Sequence, residues 1–138
     1  MVDFDIILAK VANIQRCLKR VEEKTGFNPE SLENLDVQEI FILNLQRAIQ
    51  SSIDIAAHVV ADEGLGLPGP GKENFSLLEK AGIISQDVSS KMQSMVGFRN
   101  IVVLEYQNIN LDILKSVLQN NVKDFVDFYT QVLNYFNT

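Results

Sequence analysis

The sequence predicts an all-α fold, and two observations lead to that prediction. Along most of the chain, apolar residues recur at intervals of three and four, which is the period of one face of an α-helix. No credible β-hairpin or internal repeat is present. The chain has 138 residues, 46% of them hydrophobic, which is enough for one domain with a buried core. We therefore expect a single domain over residues 1–138.

Two long helices are predicted in the first half of the chain. The first covers about residues 3–24, with apolar positions at Phe4, Ile7, Leu8, Val11, Ile14, Leu18 and Val21. It should end at Gly26, because glycine adopts the left-handed conformation that terminates helices and the residue before Pro29 resists helix. The second covers about residues 36–62 and is about 40 Å long at 1.5 Å per residue.

A loop follows the second helix over residues 64–71. This segment holds four of the seven glycines and two of the three prolines, so it continues neither helix nor strand. No strand precedes it, and neither the GxxxxGK[ST] nor the GxGxxG spacing is present. We interpret it as a connector in preference to a phosphate-binding loop.

The second half of the chain is predicted to hold a short helix and two long ones. The short helix ends at Gly82, and Ser85 or Asp87 can cap the next. The final helix opens at Asn110 and continues to Phe136. The predicted architecture is an up-and-down bundle of four main helices, with a short helix after the glycine-proline loop and a crossover at that loop.

Composition and charge argue against several classes of function. The longest aliphatic runs have four residues, far below the roughly 18 of a membrane span, and the acidic N-terminus lacks a secretory signal. Cys17 is the single cysteine and His58 the single histidine, so neither an intrachain disulfide nor a structural zinc site can form. A net charge of −6 disfavours a nucleic-acid binder. We expect a cytoplasmic protein.

A polar ridge runs along the second helix at intervals of three and four: Asn44, Arg47, Ser51, Asp54 and His58. It can be a solvated face carrying an Asp54–His58 ion pair, or a partly buried network. The ridge contains no glutamate or lysine, the usual residues of exposed helix faces, so both interpretations remain open. We interpret His58 as a hydrogen-bonded packing residue in preference to a general base.

Arg99 lies on what is otherwise the apolar face of the fourth helix, in line with Met92, Met95, Val102 and Tyr106. Burial of an unpaired guanidinium costs several kcal/mol, so Arg99 requires a partner or an exit to solvent. It pairs internally with Asp54 or Glu105, lines a cleft or subunit interface, or extends off the edge of the bundle.

The first helix is the most basic stretch of the chain, through Lys10, Arg16, Lys19, Arg20 and Lys24. It is a candidate surface for a phosphate backbone. A solvated helix face is the alternative.

Residues 95–106 carry the motif that identifies a family. The segment Gly97-Phe98-Arg99-Asn100, followed by Val103 and Tyr106, resembles the pattern G-[FL]-R-N-x-x-[VA]-H-x-Y of HepT-like proteins in the HEPN superfamily. The resemblance extends over nearly the whole chain, through residues 14–18, 43–48, 54–58, the Gly-Leu-Gly-Leu-Pro loop and residues 110–113.

This resemblance implies an all-α HEPN bundle and a toxin ribonuclease of a prokaryotic toxin–antitoxin pair. Family members act as homodimers without metal or cofactor and place the motif arginine and histidine of both protomers in a cleft at the dimer interface. Arg99 and Asn100 then belong to the catalytic site, with Arg47, Asp54 and His58 as a support network. The implied partner is a minimal nucleotidyltransferase antitoxin, which transfers adenylate to the motif tyrosine, here Tyr106.

The sequence departs from the family pattern at position 104, where Leu104 replaces the motif histidine. Leucine cannot move a proton, so the resemblance implies a ribonuclease scaffold whose activity is abolished or impaired. The substitution is either natural degeneration or a deliberate replacement that permits expression of a toxic protein. The alternatives are a non-catalytic helical dimer that binds the nucleotidyltransferase, and a monomeric bundle without a site.

Overall fold

The computed structural model describes residues 2–104 and 110–137 and confirms the all-α class. The described elements are α1 (Phe4–Thr25), a 3-10 turn (Pro29–Glu33), α2 (Leu35–Asp62), α3 (Glu73–Lys80), α4 (Gln86–Leu104), α5 (Leu111–Asn120) and α6 (Val122–Phe136). No helix in these two ranges is long and apolar enough to cross a membrane.

The boundaries of α1 follow from its capping residues. The Asp3 carboxylate accepts hydrogen bonds from the backbone N–H groups of Asp5 and Ile6, at 3.1 and 3.4 Å. At the other end Gly26 adopts φ 59°, and its N–H donates to the Glu22 carbonyl. The predicted termination at Gly26 is confirmed.

Helix α2 is the centre of the fold, because α1, α3, α4, α6 and the 3-10 turn all pack against it. The largest fully buried side chains include four phenylalanines: Phe41, Phe75, Phe125 and Phe128. The rings of Phe75 and Phe128 meet edge to face at 5.3 Å between centroids, which joins α3 to α6. A single core therefore connects the N-terminal and C-terminal helices.

The predicted glycine-proline loop connects α2 to α3 and is held by one buried side chain. The amide of Asn74 accepts from the Gly69 N–H at 2.8 Å and donates to the carbonyls of Gly69 and Gly71, at 2.8 and 3.1 Å. Asn74 is fully buried, so these bonds replace the contacts that its amide would otherwise make with water.

The prediction of one final helix from Asn110 to Phe136 is wrong, because the structure divides this segment into α5 and α6. Asn121 lies between them with φ −115° and ψ −8°, and its side chain donates to Asp124 Oδ2 at 3.0 Å. Asparagine favours such local bonds over helix continuation. Helix α5 packs on the 3-10 turn, while α6 packs on α4 and α2. The described part therefore contains five longer helices and a short one, where four and a short one were predicted.

Candidate active site

Arg99 lies on the core-facing side of α4, as the spacing predicts. Met92, Met95 and Val102 on the same face are buried, and Arg99 itself is partly buried. Its Nη1 donates to Gln50 Oε1 at 2.7 Å, and its Nη2 donates to Asn100 Oδ1 at 3.3 Å. The Nε atom is buried and has no hydrogen-bond partner among the described residues.

Gln50, which belongs to neither the polar ridge nor the motif, links Arg99 to the other helices. Its Nε2 donates to Asp54 Oδ1 at 2.9 Å, and Asp54 Oδ2 accepts from Lys10 Nζ at 3.2 Å. The chain Arg99–Gln50–Asp54–Lys10 thus crosses from α4 through α2 to α1. The internal pair predicted between Arg99 and Asp54 is not direct, because Gln50 stands between them.

The choice of glutamine has an electrostatic consequence. A carboxylate at position 50 would neutralise the guanidinium, whereas the neutral amide orients it and leaves its positive charge intact. Two of the five guanidinium N–H groups are used by Gln50 and Asn100. Among the described residues, Arg99 is therefore held in place with one N–H on each Nη atom left for an anion.

A sequence signal for Gln50 did exist. It precedes Asp54 by four residues, the spacing at which side chains on one helix face make hydrogen bonds. The spacing cannot indicate, however, that α4 packs against this part of α2.

The polar ridge is divided in the structure instead of forming one solvated face. Asn44 and Ser51 are buried, Arg47 is exposed, and Asp54 and His58 are partly buried. The Asn44 amide donates to the Ile40 carbonyl at 2.9 Å, and Asn13 on α1 donates to the Ser51 hydroxyl. The ridge therefore lies partly in the interface between α1 and α2.

The Asp54–His58 ion pair, which belonged to one of the two open interpretations of the ridge, is contradicted by the described contacts. Asp54 pairs with Lys10, while His58 Nε2 lies 3.2 Å from Asp62 Oδ2 and 3.3 Å from the Asp3 backbone N–H, from which a neutral imidazole accepts. The contacts of His58 thus lie at the ends of α1 and α2, apart from the chain that holds Arg99. The described contacts give no support to His58 as a replacement for the motif histidine.

The remaining motif residues lie in the C-terminal part of α4 or outside the described residues. Asn100 is exposed beside Arg99, and Leu104 is the last residue of α4 within the described range. The side chain of Leu104, and all of Glu105 and Tyr106, lie outside the described residues. The structure accordingly brings together Arg99, Asn100, Gln50, Asp54 and Lys10.

The family follows from comparison with known proteins. The model of the family described as Ribonuclease HepT-like matches residues 14–132, which include the polar ridge and all of α4. The chain belongs to the HepT-like ribonuclease family.

A similar protein and a similar solved structure support this membership over almost the full chain. The chain is 40% identical over 124 residues to the mRNA nuclease HepT of Shewanella oneidensis, covering 90% of this chain and 93% of the relative. It is also similar to the tri-AMPylated HEPN toxin of Shewanella oneidensis in complex with its MNT antitoxin. That comparison has a TM-score of 0.88 and 38% identity, and covers 94% of this chain and 98% of the other.

A further toxin–antitoxin structure, with AMP-PNP, has a TM-score of 0.87 at 38% identity and the same coverage. The HEPN bundle and the HepT-like family expected from the motif are confirmed.

Proposed function

We propose that this protein is the toxin of a prokaryotic toxin–antitoxin pair, a metal-independent ribonuclease scaffold whose cleavage step is impaired by Leu104. The observation that carries the proposal is Arg99, which lies inside a HepT-like motif, is held by a neutral amide 2.7 Å away, and has no described carboxylate beside it. Family membership and relatives named as an mRNA nuclease and a HEPN toxin support it.

The reaction assigned to the site is attack of a ribose 2′-oxygen on the adjacent phosphorus. The 2′-O–P bond forms and the P–O5′ bond breaks, while the 2′-hydroxyl loses a proton and the 5′-oxygen gains one. Arg99 stabilises the negative charge that develops on the phosphoryl oxygens. A histidine at position 104 would handle the proton, and leucine cannot, which lowers the rate by about 10²–10⁴.

The proposed assembly is a homodimer of one domain per chain, acting in the cytoplasm. It places Arg99 and Asn100 of both protomers in one interface cleft. The proposed partner is a nucleotidyltransferase antitoxin that transfers adenylate to Tyr106, and the support for this is the antitoxin complex of the similar Shewanella toxin. The chain Gln50–Asp54–Lys10 serves to position Arg99.

The test restores the missing group. Leu104→His, expressed without antitoxin, should stop growth and degrade RNA, since it returns the proton-transferring group to the scaffold. The matched control is Leu104→Gln, which is polar and cannot act as a general base. The double variant Leu104→His/Arg99→Ala should lose the activity that histidine restores. Intact RNA and normal growth with Leu104→His would contradict the proposal.

Leu104 also supports a second candidate, a non-catalytic helical dimer that binds the nucleotidyltransferase. Incubation of the chain with that partner and ATP, followed by mass spectrometry, separates the two. Adenylate on Tyr106 supports a toxin scaffold under antitoxin control. A stable complex with no added mass, together with an inactive Leu104→His variant, favours the binding module.

A further inference from the structure

A second polar site lies between α1 and α2, one helical turn from the contact of Gln50 with Arg99. It is a cleft of about 580 Å³. Its polar lining, which we call the arginine cleft, consists of Asn13, Arg16, Cys17, Arg20, Asn44 and Arg47. The mechanism proposed above uses none of its arginines to cleave RNA.

The arginine cleft concentrates positive charge in an acidic protein. Three of its lining residues are arginines and none is acidic, although the chain has a net charge of −6. Arg47 is exposed and has no partner among the described residues, Arg16 contacts only the neutral Asn13 at 3.4 Å, and Arg20 reaches Glu23 at 3.9 Å. These guanidinium groups are weakly compensated and remain available to an anion.

The positive charge of the cleft acts on the buried thiol of Cys17, which is part of its lining. Burial raises the pKa of the Cys17 thiol, and the charges of Arg47 and Arg16 act in the opposite direction. Arg47 on α2 and Arg16 on α1 therefore both lie close enough to Cys17 to affect its thiol.

The cleft and the candidate active site are neighbours along α2. Arg47 and Gln50 are three residues apart, so their side chains are neighbours on one helix face, and Gln50 contacts Arg99. On α1, Arg16 and Arg20 are four residues apart, about 5–6 Å between Cβ atoms. Arginines therefore lie on three neighbouring helices: Arg99 on α4, Arg47 on α2, and Arg16 and Arg20 on α1.

We propose that the arginine cleft binds the sugar-phosphate backbone of single-stranded RNA beside the bond held at Arg99, an inference that rests on the proposed function. Planar guanidinium groups bind phosphate through paired hydrogen bonds, and the lining of the cleft supplies three of them. The exposed Leu43 in the same lining offers apolar surface to a base. Because phosphates carry no sequence information, binding here is insensitive to sequence.

The experiment measures binding of a fluorescein-labelled single-stranded 12-nucleotide RNA by anisotropy at several salt concentrations. The unmodified chain is used because its Leu104 slows cleavage. The test variant is Arg16→Gln/Arg20→Gln. The matched control, Lys19→Gln/Lys24→Gln, removes the same charge from the same helix outside the cleft. Arg47→Gln is a single-site variant of a residue whose side chain has no described partner, so its folding should be unaffected.

Each lost phosphate contact lowers the slope of log Kd against log salt by about 0.7 for single strands. The Arg16/Arg20 variant should therefore lose about 1.4 of slope, so its binding defect shrinks about sevenfold between 50 and 200 mM salt. Arg47→Gln should lose about half as much slope. The loss should be equal for oligouridylate and for a mixed sequence, and the lysine control should retain its slope.

If the cleft variants and the lysine control lose the same slope of log Kd against log salt, the proposal is overturned, since bulk charge would explain both losses. If Leu104→His cleaves RNA while the cleft variants bind normally, the arginine cleft is refuted and the proposed function stands. Absence of both RNA binding and cleavage by Leu104→His overturns both. Normal RNA binding with lost binding of the nucleotidyltransferase partner would assign the cleft to an acidic protein surface instead.

Discussion

Gln50→Glu tests the arrangement at Arg99 with a change of one atomic group. In the unmodified chain the Gln50 Oε1 accepts from Arg99 Nη1 at 2.7 Å, and its Nε2 donates to Asp54. A glutamate of the same shape keeps the first contact and adds a negative charge to it. It also loses the second contact, because a carboxylate cannot donate to Asp54 and repels it at four residues' spacing.

The magnitude follows from the exposure of the two side chains. Two unit charges at 4 Å interact by about 4 kcal/mol near a protein surface and about 1 kcal/mol in water. Since Arg99 is partly buried and Gln50 is exposed, we expect about 1–2 kcal/mol for the new pair. A phosphate must compete with that carboxylate for the guanidinium, so cleavage should fall about 5- to 30-fold.

The assay is RNA cleavage in the Leu104→His background, where the reaction can be followed. Gln119→Glu, an exposed position on α5, is the control for the added charge. Urea unfolding of both variants checks the fold, and the free energy of unfolding should change by less than about 1 kcal/mol. If the neutral amide of Gln50 only orients Arg99, the Gln50→Glu variant should cleave RNA more slowly without losing stability.

Two outcomes would refute this reasoning. Cleavage by the Gln50→Glu variant at the rate of its Leu104→His parent would show that the charge of Arg99 is not what the phosphate requires. An equal loss in Gln119→Glu would show that the effect comes from net charge and not from the contact with Arg99.

Further predictions concern the loop and the thiol. Asn74→Ala removes the three hydrogen bonds that hold the glycine-proline loop and should lower the free energy of unfolding in urea by about 1–3 kcal/mol, against less than about 0.5 kcal/mol for the exposed Asn134→Ala; equal changes would contradict it. Cys17 should react with iodoacetamide far more slowly in the native than in the unfolded chain, because burial raises its pKa, and Arg47→Gln should slow it further; native-state reaction at the unfolded rate would count against this. The raised pKa also means that the stabilising contribution of the Cys17 thiol is fully present below its ordinary pKa of 9.0 and is lost as the pH rises through the raised value. The free energy of unfolding should therefore fall more between pH 8 and pH 10 in the unmodified chain than in Cys17→Ala.

The helices were predictable wherever one apolar face ran between clear end signals. Gly26 ends α1 because its backbone takes a conformation that few other residues adopt. The division at Asn121 was not predictable from apolar spacing, since α5 and α6 each have a helical pattern. What separates them is that they pack on different parts of the fold, the 3-10 turn and α4.

The candidate site shows the same division between local and long-range information. The position of Arg99 on the core face of α4 follows from spacing alone. Its partner is Gln50, 49 residues away in sequence, which no pattern within one helix identifies. The net charge of −6 was equally uninformative about Arg16, Arg20 and Arg47, which two helices bring into one cleft.

Periodicity and one motif were enough to predict the all-α class and the HepT-like family, and both predictions are confirmed. These properties belong to residues that are near one another in the chain, where helix geometry relates spacing to position. The packing of α1 and α4 on α2 decided which side chain holds Arg99, which polar residues are buried, and where the arginines converge. Such contacts depend on the angle and register of helices distant in sequence, and the spacing within any one helix does not contain them.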